Sequence, residues 1–180
     1  MEQTTSQTAP QKTSLLREFA EALLPALVIV LVINTFVAQA TRVDGHSMTP
    51  SLIDGERLII EKMSYRFSPP QRGDIVVIDP PSHTGPPLIK RVIGLPGEMV
   101  AVEQGHVLIN GEPLDEPYLS EPTRGVFAPS LVPEGHVFVM GDNRPASNDS
   151  RAFGAISYQH VVGKAWLRYW PIQQISLITH

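Results

Sequence analysis

An apolar segment near the amino terminus constrains the fold of this chain more than any other feature. Residues 22–40 carry only three polar side chains, those of Asn34, Thr35 and Gln39. A helix of this length spans about 28 Å, which is close to the roughly 30 Å hydrocarbon core of a bilayer. The segment therefore predicts one transmembrane helix, and the domain must be built from the residues that follow it.

Two other structures are compatible with an apolar segment of this kind. A helix buried in a globular core usually has one polar face, and residues 22–40 have none, which argues against that structure. A cleavable leader is a stronger alternative, because Ala38-Gln39-Ala40 matches the small-residue pattern at which leaders are cut. The local sequence leaves the anchor and the leader both open.

The composition after the segment favours strands and turns over a helical bundle. The chain has 17 prolines and 13 glycines, and good helix formers are sparse after residue 40. The formal net charge of −4 gives no indication of nucleic-acid binding. The absence of cysteine excludes a disulfide framework, a thiolate metal site and a cysteine nucleophile.

Short apolar runs bounded by charged residues, proline or glycine indicate β-strands. The runs are at 58–60, 75–78, 88–93, 99–102, 106–109, 136–140 and 161–169. Residues 103–105 predict a hairpin between two of them, and Asn110-Gly111 is a strong turn signal. The pattern predicts a mostly antiparallel β fold with sheets folded on each other.

These features divide the chain into three parts. We expect a short polar tail at residues 1–20, a transmembrane helix at 21–40 and one β domain at 41–180. The last part is long enough to bury a core of its own.

Three motifs follow the apolar segment in a fixed order. The first, at residues 45–51, contains Ser47; the second, at 90–97, begins with Lys90; and the third, at 141–151, is a polar loop. Together, behind one membrane segment, they resemble the motifs of the type I signal peptidases. Members of this family are membrane-anchored enzymes that remove leader sequences from exported proteins.

The residues around Ser47 and Lys90 suit a serine–lysine pair. A serine hydroxyl needs a base to become a good nucleophile. His46 would point to the opposite face of an extended segment, and the other histidines lie in no triad motif. A lysine can be the base only when neutral, and burial favours that form. In a strand, Leu88 and Val92 would flank Lys90 on one face, whereas an exposed strand-edge lysine is the alternative.

The resemblance implies roles for these residues. The family residues that match Ser47 and Lys90 are the nucleophile and the general base, and the residue that matches Ser147 hydrogen-bonds the base. Some relatives bind the oxyanion with a serine hydroxyl two residues before the nucleophile. This chain has Gly45 there, so its oxyanion hole would rely on backbone N–H groups, chiefly that of Ser47.

The resemblance also implies supporting and substrate-binding residues. Asp149 and Arg151 match a supporting ion pair, and Asp142 lies in a turn that helps to build the site. Met48 and Val43 match positions that line small apolar pockets for the substrate.

The function implied by the resemblance is that of a serine endopeptidase without metal or cofactor. It would cleave exported preproteins with signal peptides after Ala-x-Ala sites, next to a lipid bilayer, as a monomer and without nucleic acid. We expect a single-pass protein of the cell membrane, with the domain extracytoplasmic and the amino terminus cytosolic, because Lys12 and Arg17 precede the segment. A thylakoid membrane is the alternative for a photosynthetic source. The nearness of Ser47 favours an uncleaved anchor over a leader.

Two other functions remain compatible with parts of the sequence. A self-cleaving Ser-Lys regulator of the LexA type shares this fold, but such proteins are soluble, so residues 22–40 argue against it. A decayed, non-catalytic membrane-tethered β module is the other alternative. Intact Ser47, Lys90 and Ser147 argue against such decay.

Overall fold

The computed structural model describes residues 15–80 and 84–178. Its first element is helix α1, Leu15–Val32, which continues through one wider π-helical turn at Ile33–Val37. The chain then enters strand β1, Ala38–Arg42, without an intervening loop.

The helix has the properties that the sequence predicts. The segment Arg17–Val37 is 21 residues long, has a mean hydropathy of 2.2 and is not buried by the rest of the protein, so by length and composition it can cross a membrane. The helical conformation ends at Val37 rather than at residue 40, because Ala38–Arg42 pairs with the sheet. Most of the tail expected at 1–20 lies outside the described residues.

Twelve strands, one further short α-helix and four 3-10 turns follow in the described part of the chain. The strands are β1 Ala38–Arg42, β2 Arg57–Glu61, β3 Ile75–Ile78, β4 Leu88–Gly94, β5 Met99–Glu103, β6 His106–Ile109, β7 Glu112–Pro113, β8 Phe127–Leu131, β9 His136–Met140, β10 Ile156–Ser157, β11 Val161–Trp170 and β12 Ser176–Leu177. Helix α2, Ser150–Phe153, lies between β9 and β10.

The strands form two antiparallel sheets. The larger sheet has the order β1-β2-β11-β3-β4-β9-β10, with β12 paired to β11, and the smaller sheet has the order β7-β6-β5-β8. Every described pair of neighbours is antiparallel. The prediction of a mostly antiparallel β fold behind one apolar helix is therefore confirmed.

Alternating side chains of the central strands fill separate core clusters. Ile75 and Val77 of β3 pack in a cluster with Met48, beneath the turn of the first motif. Val76 and Ile78 pack on the opposite side, in a cluster that also contains Val92. A third cluster joins the two sheets; its buried members are Ile93, Val100, Val102, Val107, Val132, Phe138 and Met140. Both faces of β3 and β4 are therefore covered, which explains their continuous apolar sequence.

The junction between α1 and the sheet is held by the segment after β2. The N–H of Lys62 donates to the Val37 carbonyl at 2.9 Å, and its Nζ donates to the Asn34 carbonyl at 3.0 Å. The guanidinium of Arg66 lies 5.2 Å from the centre of the Phe36 ring. The last turn of the helix is thus fixed to the domain by both backbone and side-chain contacts.

One row of cross-strand neighbours connects this junction to β4. Each residue in the row is paired with the next, in the order Ala38, Glu61, Lys164, Val76 and Lys90. Neighbouring strands are about 4.8 Å apart, so four steps place Lys90 about 19 Å across the sheet from Ala38. The second motif therefore begins on the same row of the sheet as the end of the helix.

Candidate active site

Ser47 lies in a tight turn that follows β1 and packs on the core. The turn begins at Gly45, whose φ of +84° is in the left-handed region that favours glycine. The Gly45 N–H donates to Asp54 Oδ1 at 2.8 Å. Val43 and Met48 are buried on either side of Ser47 and hold the turn against the domain. Ser47 itself is half-buried.

Lys90 lies in β4 near the middle of the larger sheet and is only 2% exposed. Its Nζ is 2.8 Å from Ser47 Oγ and 3.1 Å from the Ile89 carbonyl oxygen. Burial lowers the pKa of Lys90 to about 8, although the negative charges of Asp149 and Asp142 act to raise it. The amine is thus in contact with the serine hydroxyl, and its pKa lies much nearer physiological pH than that of an ordinary lysine.

The third motif contacts the turn that carries Ser47 directly. The Asn143 N–H donates to the Ser47 carbonyl at 3.0 Å. A Cβ atom at Gly141 would overlap both the Ser47 carbonyl oxygen and Ser147 Oγ. Only glycine permits this close approach of the two loops.

Asp149 and Arg151 form an ion pair that holds the same loop. Arg151 Nε and Nη2 lie 2.8 Å from Asp149 Oδ1 and Oδ2 respectively, and the Gly141 N–H donates to Oδ2 at 3.1 Å. Burial by itself would raise the pKa of Asp149, but the hydrogen bonds and charge of Arg151 lower it below its usual value. Asp149 therefore stays ionised, and its charge is balanced within the loop.

Ser147 is close to the site but is not bonded to the lysine. Its Oγ is buried and forms no well-aligned hydrogen bond within the described residues, while Lys90 Nζ contacts Ser47 and Ile89. The hydroxyl is near enough to Asp149 to contribute to that residue's lowered pKa, without forming a well-aligned hydrogen bond. The bond from Ser147 to Lys90 that the resemblance implies stays a prediction.

Asp142 is paired with Arg91, the residue after the lysine. Arg91 Nε and Nη2 lie 2.9 and 2.7 Å from the two carboxylate oxygens, and both side chains are at most 4% exposed. Arg91 also donates to the Gly73 carbonyl at 3.0 Å and to Ser51 Oγ at 3.3 Å. The ring of Tyr118 covers its guanidinium at 4.0 Å.

A second buried arginine, Arg144, completes the loop. It forms a two-pronged ion pair with Glu116, and both side chains are at most 6% exposed. It also donates to Thr123 Oγ1 and, at 3.0 Å, to the Gly141 carbonyl. The Arg144 carbonyl in turn accepts from Arg151 Nη2 at 2.7 Å. Both arginines thus bind the loop that touches Ser47.

Sequence reasoning missed several members of this network. It singled out Asp142 but not its partner Arg91, although a charged residue in a strand of the sheet centre requires a buried counter-charge. It also missed the side chain of Arg144 and its partner Glu116. Tyr118 and Glu116 lie in a proline-rich connection after β7, where nothing in the local sequence indicates burial.

The residues predicted to bind substrate are placed beneath the turn. Val43 and Met48 are 2% and 1% exposed and pack in the core cluster there, so as placed they offer little surface to a ligand. A polar cavity of about 160 Å³ opens beside the turn. It is lined by Thr49, Ser120, Glu121, Asp142, Asn143, Arg144 and Pro145.

The hydrogen-bond donors that this turn offers beside Ser47 are backbone groups. Gly45 has no side chain to contribute, and within residues 15–80 and 84–178 nothing accepts a hydrogen bond from the Ser47 N–H. That N–H is therefore available to a ligand. In the same described ranges, no group of three or more His, Cys, Asp or Glu side chains is arranged to hold a metal ion.

Known proteins that resemble this chain share one family. The signal peptidase family, peptidase S26, matches residues 16–170. Signal peptidase I of Leptolyngbya laminosa is 43% identical over 174 residues, which cover 93% of this chain and 86% of that protein. Probable signal peptidase I-1 of Synechocystis sp. is 43% identical over 169 residues, covering 90% of this chain and 86% of that protein.

A crystal structure of a signal peptidase I from Enterococcus faecalis V583 is 39% identical to the chain, with a TM-score of 0.48, and covers 54% of this chain and 97% of that one. The extent and identity of the sequence matches establish that the chain belongs to the signal peptidase family, peptidase S26.

Proposed function

We propose that the chain is a membrane-anchored serine endopeptidase that removes signal peptides from exported preproteins, with Ser47 as nucleophile and Lys90 as general base. The observation that carries this proposal is the 2.8 Å contact between Ser47 Oγ and the buried Nζ of Lys90. With a pKa of about 8, about a tenth of the amine is neutral at pH 7. For an ordinary lysine that fraction is about 0.04%.

The first half of the reaction forms an acyl-enzyme. The neutral Lys90 amine takes the hydroxyl proton as Ser47 Oγ attacks the scissile carbonyl carbon, and a tetrahedral oxyanion forms. The Ser47 N–H donates to that oxyanion. When the C–N bond breaks, the Lys90 ammonium gives its proton to the leaving amine. The signal peptide then remains as an ester on Ser47, and the mature protein departs.

The second half uses water in the same way. Lys90 takes a proton from water as the water oxygen attacks the ester carbonyl. The C–O bond to Ser47 breaks, and the ammonium returns a proton to Ser47 Oγ. The enzyme ends in its starting state, so one lysine serves as base and acid in turn.

Substrate recognition in this proposal depends on an extended preprotein segment beside the nucleophile turn. Main-chain hydrogen bonds to exposed strand edges would hold it, and cleavage would follow an Ala-x-Ala site. The buried side chains of Met48 and Val43 would form the floor of any pocket for a small substrate side chain. We propose that α1 holds this site at the outer surface of the cell membrane, with the amino terminus in the cytosol.

The two alternatives are less well supported. A LexA-type regulator does not need the exposed apolar helix Arg17–Val37. A non-catalytic module would not need a lysine buried against a serine hydroxyl, since burial of an amine carries a free-energy cost.

Replacing the nucleophile should abolish cleavage. In Ser47→Ala the fold should be retained, and the rate of preprotein cleavage by the detergent-solubilised protein should fall by several orders of magnitude. Ser64→Ala, at an exposed serine, is the control and should cleave normally. Full activity in Ser47→Ala would rule out the dyad.

The lysine should be needed as a base and not only as a charge. Lys90→Arg should be as inactive as Lys90→Ala, because arginine is effectively never deprotonated. Lys164→Arg, at a lysine on β11, which β3 separates from β4, should remain active. In the wild type, kcat/KM should rise with pH through about 8, because the neutral amine is the reactive form and burial lowers its pKa. A profile that falls over this range contradicts the assignment.

Loss of the Ser147 hydroxyl should slow the reaction without stopping it. The proposed role of its hydroxyl is to bond and orient Lys90 during the reaction, so we expect Ser147→Ala to cut the rate by about 10- to 1000-fold, the range typical of losing an orienting hydrogen bond. The measurement is a single-turnover rate with the same preprotein. A rate equal to that of the wild type would place Ser147 outside the site.

The apolar helix should remain attached to the mature protein. Ala38-Gln39-Ala40 lies in β1 and is paired with β2, so it is not free to enter a protease groove as an extended substrate. Mass spectrometry should find peptides that span residues 38–42, and carbonate-washed membranes should retain the protein. A mature amino terminus at Thr41, with the protein in the soluble fraction, would instead support a cleaved leader.

A further inference from the structure

We propose that Tyr118, which lies outside the three motifs, is a positioning residue that keeps Arg91 paired with Asp142 beside the dyad. The proposal rests on the proposed roles of Ser47 and Lys90. It extends the site to a segment that the sequence does not mark as functional.

Tyr118 closes one side of the Arg91 guanidinium. Asp142 binds one edge of that group at 2.7–2.9 Å, and the Tyr118 ring covers its face at 4.0 Å. Such a contact between a cation and a ring stabilises a desolvated arginine. The ring is itself fixed, because the Tyr118 hydroxyl donates to Glu116 Oε1 at 2.8 Å and Glu116 is paired with Arg144.

These contacts form a closed circuit around the loop that touches the nucleophile. Arg91 binds the loop at Asp142, and Arg144 belongs to the same loop. Tyr118 and Glu116 connect the two arginines from outside. The charged side chains of the circuit are at most 6% exposed, and Tyr118 is half-buried. The loop they enclose donates an N–H to the Ser47 carbonyl.

Without the Tyr118 ring, the Arg91 guanidinium could enter an adjacent cavity. A cavity of about 320 Å³ lies against Arg91 and Tyr118, with Ser51, Arg168 and Ser176 also in its wall. A smaller side chain at position 118 would enlarge this cavity and admit water. The guanidinium would then spend part of its time in the cavity, and Asp142 would lose its counter-charge for that time.

An unpaired Asp142 changes the state of the lysine. The charged groups that act on Lys90 are Asp149, which is balanced by Arg151, and Asp142, which is balanced by Arg91. Strand β3 presents the apolar Val76 opposite Lys90. A carboxylate that loses its partner favours the protonated amine, so fewer molecules hold Lys90 as a free base at neutral pH.

The test is the pH dependence of preprotein cleavage by the full-length, detergent-solubilised protein. In Tyr118→Leu the midpoint of kcat/KM should move up by about one pH unit, so the rate at pH 7 should fall about tenfold and recover at alkaline pH. Tyr118→Phe keeps the ring but loses the hydroxyl bond to Glu116, so its midpoint should move less than that of Tyr118→Leu. Tyr118→Met, with a longer flexible side chain, provides the same measurement if Tyr118→Leu does not fold.

Tyr169→Leu is the matched control, because Tyr169 is half-buried in β11, which β3 separates from the strand of Lys90, and its midpoint should not change. A wild-type midpoint in active Tyr118→Leu or Tyr118→Met protein overturns the proposal, even if the rate falls at every pH. An equal shift in Tyr169→Leu also overturns it. An active Lys90→Arg variant would overturn the dyad itself, whereas an inactive one combined with an unshifted Tyr118 variant overturns only the positioning role.

Discussion

Burial of the Lys90 amine is the interaction on which the rest of the site depends. A pKa lowered from 10.5 to about 8 means that the protein disfavours the protonated amine by about 3 kcal/mol relative to water. That penalty makes the lysine suitable as the base of the proposed mechanism, and it also restricts the positions in the fold at which such a lysine can lie. Only a strand covered on both faces, such as β4, excludes water around a side chain this long. The position of Lys90 in the sheet and its chemistry therefore have the same cause.

A buried amine beside two carboxylates would ordinarily hold its proton. Here each carboxylate has its own arginine: Asp142 is bound by Arg91 and Asp149 by Arg151. The two ion pairs give the third motif a rigid shape and, at the same time, weaken the field that would otherwise reprotonate Lys90. Because breaking a buried pair leaves an uncompensated charge, the loop that contacts Ser47 has little freedom to move away. The same four side chains therefore hold the loop in place and favour the neutral form of the Lys90 amine.

The sequence predicted the strands and turns whose conformation depends on neighbouring residues in the chain. Apolar runs gave most strands, including β3 and β4, and Asn110-Gly111 forms the turn expected of it, with positive φ at both residues. Local patterns failed where pairing between distant segments decides the structure. The first three residues of β1, Ala38–Ala40, fall within the predicted helix, because alanine suits either conformation until β2 lies beside it. The roles of Glu116 and Tyr118 could not be predicted for the same reason, since only folding brings them into contact with arginines that are distant in sequence.

The stiff junction between helix and sheet has a mechanical consequence. The helix passes into β1 without a loop, and contacts from Lys62 and Arg66 brace its last turn. Lys90 lies about 19 Å across the sheet from Ala38, where the helix joins it. A rotation of the sheet by about 10° about Ala38 would displace the amine by about 3 Å, which is the length of a hydrogen bond. A change in the tilt of α1 would therefore change the position of Lys90 Nζ.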